Sequence, residues 1–301
     1  MNNTLVMGPV LFNWKPEDWR DFYFRIADEA DVDEVFVGEA VCSKRTPFLD
    51  PFIPDVVERL VAADKKVVLS TLALIMNTRE MNNVRDITAS GDEDILVEAN
   101  DVSATALLKG QPHAIGPYVN IYNEGTRDYF ARNGATSICL PVELDLNAIG
   151  ALAKDSPVPL EVMVFGRLPL AISARCYHAR AHKLHKDGCQ YICAEDPDGL
   201  DVQTLNGEPF LAVNGVQTMS HAYSDLSASV SDLQDLGINR FRLSPHANVD
   251  MVAVAQLYRE VANGAIDAQE AHARLSGWMD GAAFCNGYIK GENGHTFSDA
   301  Q

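Results

Sequence analysis

Residues 66–74 read KVVLSTLAL, an apolar run rich in valine and leucine. Both faces of this run are hydrophobic, which is typical of a strand in a parallel sheet that helices cover on both sides. Helix-like stretches flank the run, near residues 54–63 before it and 78–90 after it. The run is therefore predicted to be one strand of a repeated strand–helix unit.

The same alternation runs through most of the chain. Further strand candidates before residue 170 lie at residues 4–12, 34–38, 94–97, 113–119, 136–140 and 160–165, with helix candidates between them. Parallel strands need such crossover connections, so repeated units of this kind build a parallel sheet. Because no glycine-rich phosphate loop follows the first strand, the pattern favours an α/β fold of the (β/α) TIM-barrel type over a doubly wound dinucleotide-binding fold.

The rhythm breaks at residues 171–209, which are rich in Cys, His, Asp and Gly. This segment is predicted to be an insertion or a long functional loop within a single barrel-like domain of residues 1–290. The alternation resumes with strands at 210–214 and 240–243 and an amphipathic helix at 249–262. A polar, mobile tail is expected at residues 291–301.

The charge of the chain excludes two classes of partner. There are 24 Lys and Arg against 42 Asp and Glu, a formal net charge of −18, which repels nucleic-acid phosphates and anionic membrane surfaces. The N-terminal sequence has no secretory signal, and no apolar run is long enough to span a membrane. We therefore expect a cytoplasmic protein whose six cysteines stay reduced.

Polar residues follow the strand candidates at the end where barrel enzymes bind their substrates. Because Asn, Ser, Thr and Asp are also favoured as helix caps and in loops, a structural role is the alternative for each of them. The residues predicted to line a substrate cavity are Glu39, Thr71, Glu98, Asn120, Asn123, Glu143, Asn214 and Arg242.

Three cysteines crowd into the stretch SARCYHARAHKLHKDGCQYIC, residues 173–193: Cys176, Cys189 and Cys193. Thiols spaced in this way indicate metal ligation, and Cys42 would supply a fourth ligand if its loop reached the same place. Cys139 and Cys285 lie in apolar surroundings and are interpreted as core residues.

The surroundings of these thiols leave three kinds of chemistry open. Residues 162–186 contain basic side chains and no Asp or Glu, an environment that would stabilise an iron–sulfur cluster with a net charge of about −2. A zinc site is the second reading, because His178, His182 and His185 would share one helical face beside the cysteines. In the third, Lys44 and Arg45 would activate Cys42 as a nucleophile.

Eight blocks of the sequence are similar to one known family. The chain resembles the U32 peptidase-like family from about residue 7 to residue 288 in GPVLFNW, FVGEAVCSKR, VVLSTLALI, SICLPVEL, GRLPLAISARC, FLAVNGVQTMS, FRLSP and CNGY. Despite the family name, the sequence offers no Ser-His-Asp set, no HExxH motif and no evident cysteine dyad, so it is not expected to be an active peptidase. The sequence assigns no catalytic residue.

The branch of the family that the chain resembles acts in ubiquinone synthesis without oxygen. The resemblance implies a [4Fe-4S] cluster held by Cys42, Cys176, Cys189 and Cys193, and a subunit of an anaerobic hydroxylase that forms a heterodimer with a UbiU-like sister protein. It also implies a UbiT-like lipid-binding protein in the pathway. A non-catalytic iron–sulfur partner that passes electrons to the catalytic subunit or stabilises it, and a zinc-dependent hydrolase, are the alternatives.

Overall fold

A computed structural model describes residues 3–91 and 94–298. Eight parallel strands close into a barrel in the order β11-β1-β2-β3-β4-β5-β6-β7, with β7 pairing back to β11. The predicted TIM-barrel fold is therefore confirmed. The strands are β1 Thr4–Met7, β2 Glu34–Val37, β3 Lys66–Ser70, β4 Ile95–Ala99, β5 His113–Ile115, β6 Ala135–Cys139, β7 Leu160–Ile172, β8 Leu200–Gln203, β9 Pro209–Asn214, β10 Gln217–Asp225, β11 Arg240–Leu243 and β12 Phe284–Cys285.

Helices surround the barrel, and each of the longer ones buries part of its surface in the fold. Asp or Asn caps the N-terminus of most of the longer ones, where the side-chain oxygen accepts a hydrogen bond from a free backbone N–H. None of the described helices is long and apolar enough to span a membrane. The helices are α1 Pro16–Glu29, α2 Thr46–Leu49, α3 Ile53–Ala62, α4 Thr78–Ser90, α5 Val102–Leu107, α6 Glu124–Arg132, α7 Leu146–Ala153, α8 Tyr177–Ala181, α9 Val230–Asp235, α10 Met251–Ala262 and α11 Ala268–Trp278.

An antiparallel extension interrupts the barrel between β7 and β11. The outer half of β7 pairs with β10, β10 pairs with β9, and β9 pairs with β8, each pair antiparallel. The strand predicted at residues 210–214 is β9 and lies in this extension, so it does not resume the barrel as we had expected. A two-residue turn that includes Gly215, at φ +63°, joins β9 to β10 as a hairpin.

The predicted tail at residues 291–301 is partly described. Thr296 O accepts a hydrogen bond from Asn286 N at 2.9 Å, and Ser298 N donates to Asn286 Oδ1 at 2.9 Å. Residues 299–301 lie outside the described residues. The predicted division into a domain and a mobile tail stays a prediction.

The interior of the barrel contains an ion-pair network as well as apolar side chains. Arg242 on β11 lies with Nη1 2.8 Å from Glu98 Oε1, and its Nε donates to Glu161 Oε1. Its guanidinium lies 4.2 Å from the ring centroid of Phe36, a cation–π contact. All four side chains are buried, and Arg240, whose Nη2 lies 3.1 Å from Glu161 Oε2, supplies a second positive charge against the two carboxylates.

Gly38 ends β2 and begins the loop that carries Cys42. Its φ is +129°, and a Cβ there would lie 2.8 Å from the carbonyl oxygen of Ser70 on the neighbouring strand. We expect Gly38→Ala to lower the free energy of unfolding by about 2–4 kcal/mol, because backbone strain and overpacking add. Urea unfolding measures the loss.

Gly277→Ala provides the matched control for this substitution. Gly277 lies in α11, has no positive φ, and a Cβ there would meet no described atom within 4 Å beyond its chain neighbours and the backbone of its own helix. Alanine should leave stability unchanged or raise it slightly there. Equal free energies of unfolding for the two variants would contradict the strain argument.

Candidate functional site

The four cysteines singled out in the sequence line one cavity. Cys42 comes from the loop after β2, Cys176 directly precedes α8, and Cys189 and Cys193 lie in the short turns that follow. The cavity has about 360 Å³ of atom-free space, part of it open to solvent, and we call it the thiol cavity. The fold thus brings the early cysteine, 134 residues before Cys176, to the same place as the other three.

Cys139 and Cys285 lie elsewhere. Cys139 is the last residue of β6 and Cys285 ends β12, and both are buried. Neither lines the thiol cavity. These two thiols occupy core positions, as predicted.

A buried carboxylate shapes the loop that carries Cys42. Glu39 Oε1 accepts hydrogen bonds from the backbone N–H of Val41 at 2.7 Å and of Cys42 at 2.9 Å. Glu39 was predicted to bind substrate; the structure places it under the cysteine loop, where it holds two N–H groups in a tight turn. Its role here is to position Cys42.

Arg45 places a fixed positive charge at the thiol cavity. Its side chain is 2% exposed, and it donates to Leu11 O at 2.7 Å and to Asn214 Oδ1 at 2.8 Å. The Nη2 atom also lies 3.7 Å from Cys193 Sγ, and Nη1 lies 3.8 Å from Glu39 Oε1. A guanidinium cannot lose its proton in a protein, so this charge is permanent.

Two further donors reach the cysteine sulfurs. Asn13 Nδ2 lies 3.3 Å from Cys193 Sγ, and Ala179 N lies 3.4 Å from Cys176 Sγ. Hydrogen bonds to sulfur stabilise metal-bound thiolates and tune iron–sulfur clusters. Arg45 Nε is buried without a hydrogen-bond partner among residues 3–91 and 94–298. This N–H group is therefore a donor that no acceptor in the described residues uses.

Two of the thiols, Cys42 and Cys176, do not resemble activated nucleophiles. Burial raises the pKa of Cys42, and this effect outweighs the opposing charge of Arg45. Burial likewise raises the pKa of Cys176. A nucleophilic cysteine requires a lowered pKa, so this burial disfavours the reading of Cys42 as a nucleophile and leaves a bound metal as the agent that could ionise Cys42 and Cys176.

The spacing of the sulfurs differs from that of a single-ion site. Four thiolates at about 2.3 Å from one Zn²⁺ would lie about 3.8 Å apart. In the described part of the chain, the one group of three or more potential ligand atoms that all lie within 4.8 Å of one another is His178, His182 and Asp196. No three of the cysteine sulfurs are therefore as close as a mononuclear zinc site requires.

The histidine group is a second candidate metal site. His178 Nε2 lies 2.9 Å from Asp196 Oδ2, its Nδ1 lies 3.2 Å from Val213 O, and its ring stacks on His182 with centroids 5.6 Å apart. His185, which was predicted to share the site, does not belong to the group. The sequence analysis did not identify Asp196 as a candidate ligand. Asp196 reaches α8 only through the turn after Cys193, and no sequence pattern indicates that contact.

The other predicted substrate residues fall into four places. Thr71, Glu98 and Arg242 are buried within the barrel; Thr71 Oγ1 donates to Glu98 O at 2.9 Å. Asn123 caps α6 by accepting a hydrogen bond from Thr126 N at 2.9 Å, the structural alternative noted for it. Asn120 and Glu143 are exposed and line a cavity at the carboxyl end of the barrel strands, while Asn214 lies beside Arg45.

Several solved structures are similar to this chain at low sequence identity. A truncated 3-deoxy-D-arabino-heptulosonate 7-phosphate synthase from Thermotoga maritima is 11% identical, with 94% of this chain and 89% of that chain covered and a TM-score of 0.46. N-acetylneuraminate lyase from Fusobacterium nucleatum, complexed with pyruvate, is 10% identical, with 89% and 76% covered and a TM-score of 0.47. At these values the likeness says nothing about substrate or reaction.

A family relationship covers nearly the whole length of the sequence. The sequence model described as peptidase family U32 matches residues 19–297, a span that includes all four cysteines of the thiol cavity and both members of the histidine pair. The match extends from within α1 to the segment after β12, so it takes in every barrel strand except β1 together with the antiparallel extension. This chain belongs to peptidase family U32.

Proposed function

We propose that this U32-family chain is a UbiV-type iron–sulfur protein, which carries a [4Fe-4S] cluster and works with a UbiU-like sister protein to hydroxylate ubiquinone precursors without oxygen. The observation that carries the proposal is the thiol cavity, in which four cysteines from two distant segments meet beside a buried arginine. Cys42, Cys176, Cys189 and Cys193 would hold the cluster.

The residues present fit such a group. A cubane cluster takes four thiolates and carries a net charge of about −2, which cations and N–H donors stabilise. The cavity offers four thiols, the charge of Arg45 and the N–H donors of Asn13 and Ala179.

The cluster would supply one-electron chemistry when bound. With four cysteines available every iron can have a protein ligand, which favours electron transfer or a structural role over substrate binding at iron. The protein's own contribution is to hold the thiols and their charge balance, through Glu39 below Cys42 and Arg45 beside Cys193. Glu98 and Arg242 were predicted to bind substrate, but they pair with each other inside the barrel. This pairing favours the alternative in which the sister chain binds the substrate.

Anoxic purification with metal analysis tests the proposal. We expect about four irons per chain and a broad absorbance at about 400 nm. In cells grown without oxygen, deletion of the gene should abolish ubiquinone synthesis, and the protein should co-purify with the UbiU-like partner. Iron-free protein after anoxic preparation, or normal ubiquinone levels in the deletion strain, would reject it.

A mononuclear metal enzyme is the second candidate. The group of His178, His182 and Asp196 favours it, because two imidazoles and a carboxylate leave further coordination positions open, as in catalytic zinc sites. In that case anoxically prepared protein would contain about one zinc per chain, and His182→Ala would remove it. Retention of the metal in His182→Ala would dismiss this candidate.

A further inference from the structure

A second cavity lies at the carboxyl end of the barrel strands, and we call it the mouth cavity. It has about 730 Å³ of atom-free space, counted with its opening, and it shares no lining residue with the thiol cavity. The segments after β3, β5 and β6 and the outer half of β7 form its walls. The apolar side chains that matter here are Leu74, Val142, Leu170 and Ile172.

Tyr118 lines the mouth cavity and connects it to the thiol cavity. Gln217 Nε2 donates to the Tyr118 hydroxyl at 2.8 Å, and Asn214 Nδ2 donates to Gln217 Oε1 at 3.2 Å. Arg45 Nη2 donates to Asn214 Oδ1 at 2.8 Å and lies 3.7 Å from Cys193 Sγ. Four consecutive contacts therefore run across the barrel mouth from the phenol to the thiol.

Arg45, at one end of this series of contacts, fixes the direction of each hydrogen bond between it and Tyr118. A guanidinium can only donate, so the Asn214 oxygen must face Arg45 and its NH₂ must face Gln217. The Gln217 oxygen then accepts, and its NH₂ donates to the Tyr118 oxygen. The Tyr118 hydrogen is consequently left over, and no acceptor among residues 3–91 and 94–298 takes it.

The free hydrogen belongs to a neutral phenol beside the mouth cavity. Burial raises the pKa of Tyr118, and the nearby charge of Glu98 acts in the same direction, so the hydroxyl keeps its proton at neutral pH. An oxygen acceptor that reached the hydroxyl from the mouth cavity would therefore take this hydrogen bond. The hydrogen bonds that run from Arg45 through Asn214 and Gln217 thus leave the hydroxyl hydrogen of Tyr118 free to donate.

The lining of the mouth cavity selects the charge of a ligand. Glu143 is the charged side chain among the described residues that line it, and its carboxylate repels anions, as does the net charge of −18. The cavity exposes polar as well as apolar surface: the side chains of Leu74, Val142, Leu170 and Ile172 suit a hydrocarbon body, and Tyr118 suits an acceptor oxygen. We propose that the mouth cavity binds a small neutral molecule with a ring-sized apolar body and a carbonyl, ether or hydroxyl oxygen, to which Tyr118 donates.

Acetophenone is a suitable probe for this site, and benzoate is its anionic counterpart of nearly the same shape. We expect wild-type protein to bind acetophenone in a ligand-observed NMR titration. The Kd for benzoate should be at least roughly tenfold higher than the Kd for acetophenone. Tyr118→Phe, which removes only the hydroxyl, should weaken acetophenone binding roughly tenfold. Tyr129→Phe makes the same change at an exposed position on α6 and should leave the Kd unchanged.

A second pair of variants keeps the test decisive if Tyr118→Phe folds poorly. Leu170→Asp adds a carboxylate to a partly exposed wall residue and should abolish acetophenone binding, whereas Leu205→Asp, at a fully exposed position outside the cavity, should not. Equal affinity in wild type, Tyr118→Phe and Leu170→Asp would overturn the proposal. So would an absence of acetophenone binding to wild-type protein.

Coupling between the two cavities is the part of this inference that rests on the proposed function. A ligand on Tyr118 should disturb the contacts through Gln217 and Asn214 to Arg45, and so shift the midpoint potential of a loaded cluster. Gln217→Leu removes the two hydrogen bonds that link Tyr118 to Asn214 and should abolish the shift in midpoint potential. An unchanged wild-type potential with acetophenone bound would reject the coupling, while the binding titrations, which need no cluster, decide the site independently.

Discussion

Cys176→Ala is expected to lower the iron content of anoxically prepared protein from about four irons per chain to less than about one. Cys176 is one of four thiols of the thiol cavity, and a cubane cluster that loses one of its four thiolates loses a quarter of its protein bonds. The broad absorbance near about 400 nm should disappear with the iron. Iron analysis and absorbance on the same anoxic sample measure both.

The fold itself should survive this substitution. Cys176 is half-buried and caps a helix of five residues, so the loss of its contact with Ala179 N costs about 0.5–2 kcal/mol. Cys285→Ala is the matched control, since this thiol is buried and lies outside the thiol cavity. If Cys285→Ala lost its iron and Cys176→Ala kept it, the assignment of the ligands would be wrong.

Arg242→Met should lower the free energy of unfolding by about 3–5 kcal/mol, because it leaves buried carboxylates short of their counter-charge. Glu98 is fully buried and Glu161 nearly so, and both face the guanidinium of Arg242. Methionine fills a similar volume but offers neither charge nor donors. Urea unfolding followed by circular dichroism measures the change.

An exposed arginine supplies the control for Arg242. Arg25 pairs with Glu29 and Asp250, but its side chain is 47% exposed, so Arg25→Met should change stability by no more than about 1 kcal/mol. Adding Glu98→Gln to Arg242→Met should recover part of the loss, because one unpaired charge is removed. A loss below about 1 kcal/mol for Arg242→Met would mean that the barrel interior tolerates Glu98 without its counter-charge.

The barrel could be predicted from the sequence because its strands are short apolar runs at regular spacing. The limits of the strands were harder to predict. The run 66–74 was read as one strand, but β3 ends at Ser70, and Leu74 lies in the loop that forms a wall of the mouth cavity. The strand predicted at residues 113–119 ends at Ile115, and Gly116 with Pro117, a recognised turn signal, marked that end.

The candidate site could be predicted only in part, because spacing marks cysteines and says little about the partners that fold back onto them. The local run of three thiols was visible, whereas the packing of Arg45 against Cys193 depends on contacts between residues 148 positions apart. The antiparallel pairing of β9 and β10 was also hidden, since an apolar strand looks alike in either direction. Tyr118 and Gln217 carried no signal at all.

The most direct measurement is an iron anomalous difference map from crystals of the anoxically prepared protein. We expect one compact multi-iron peak inside the thiol cavity, bonded at about 2.3 Å to the sulfurs of Cys42, Cys176, Cys189 and Cys193. A metal peak confined to His178, His182 and Asp196, or an iron centre to which Cys42 is not bonded, would contradict it.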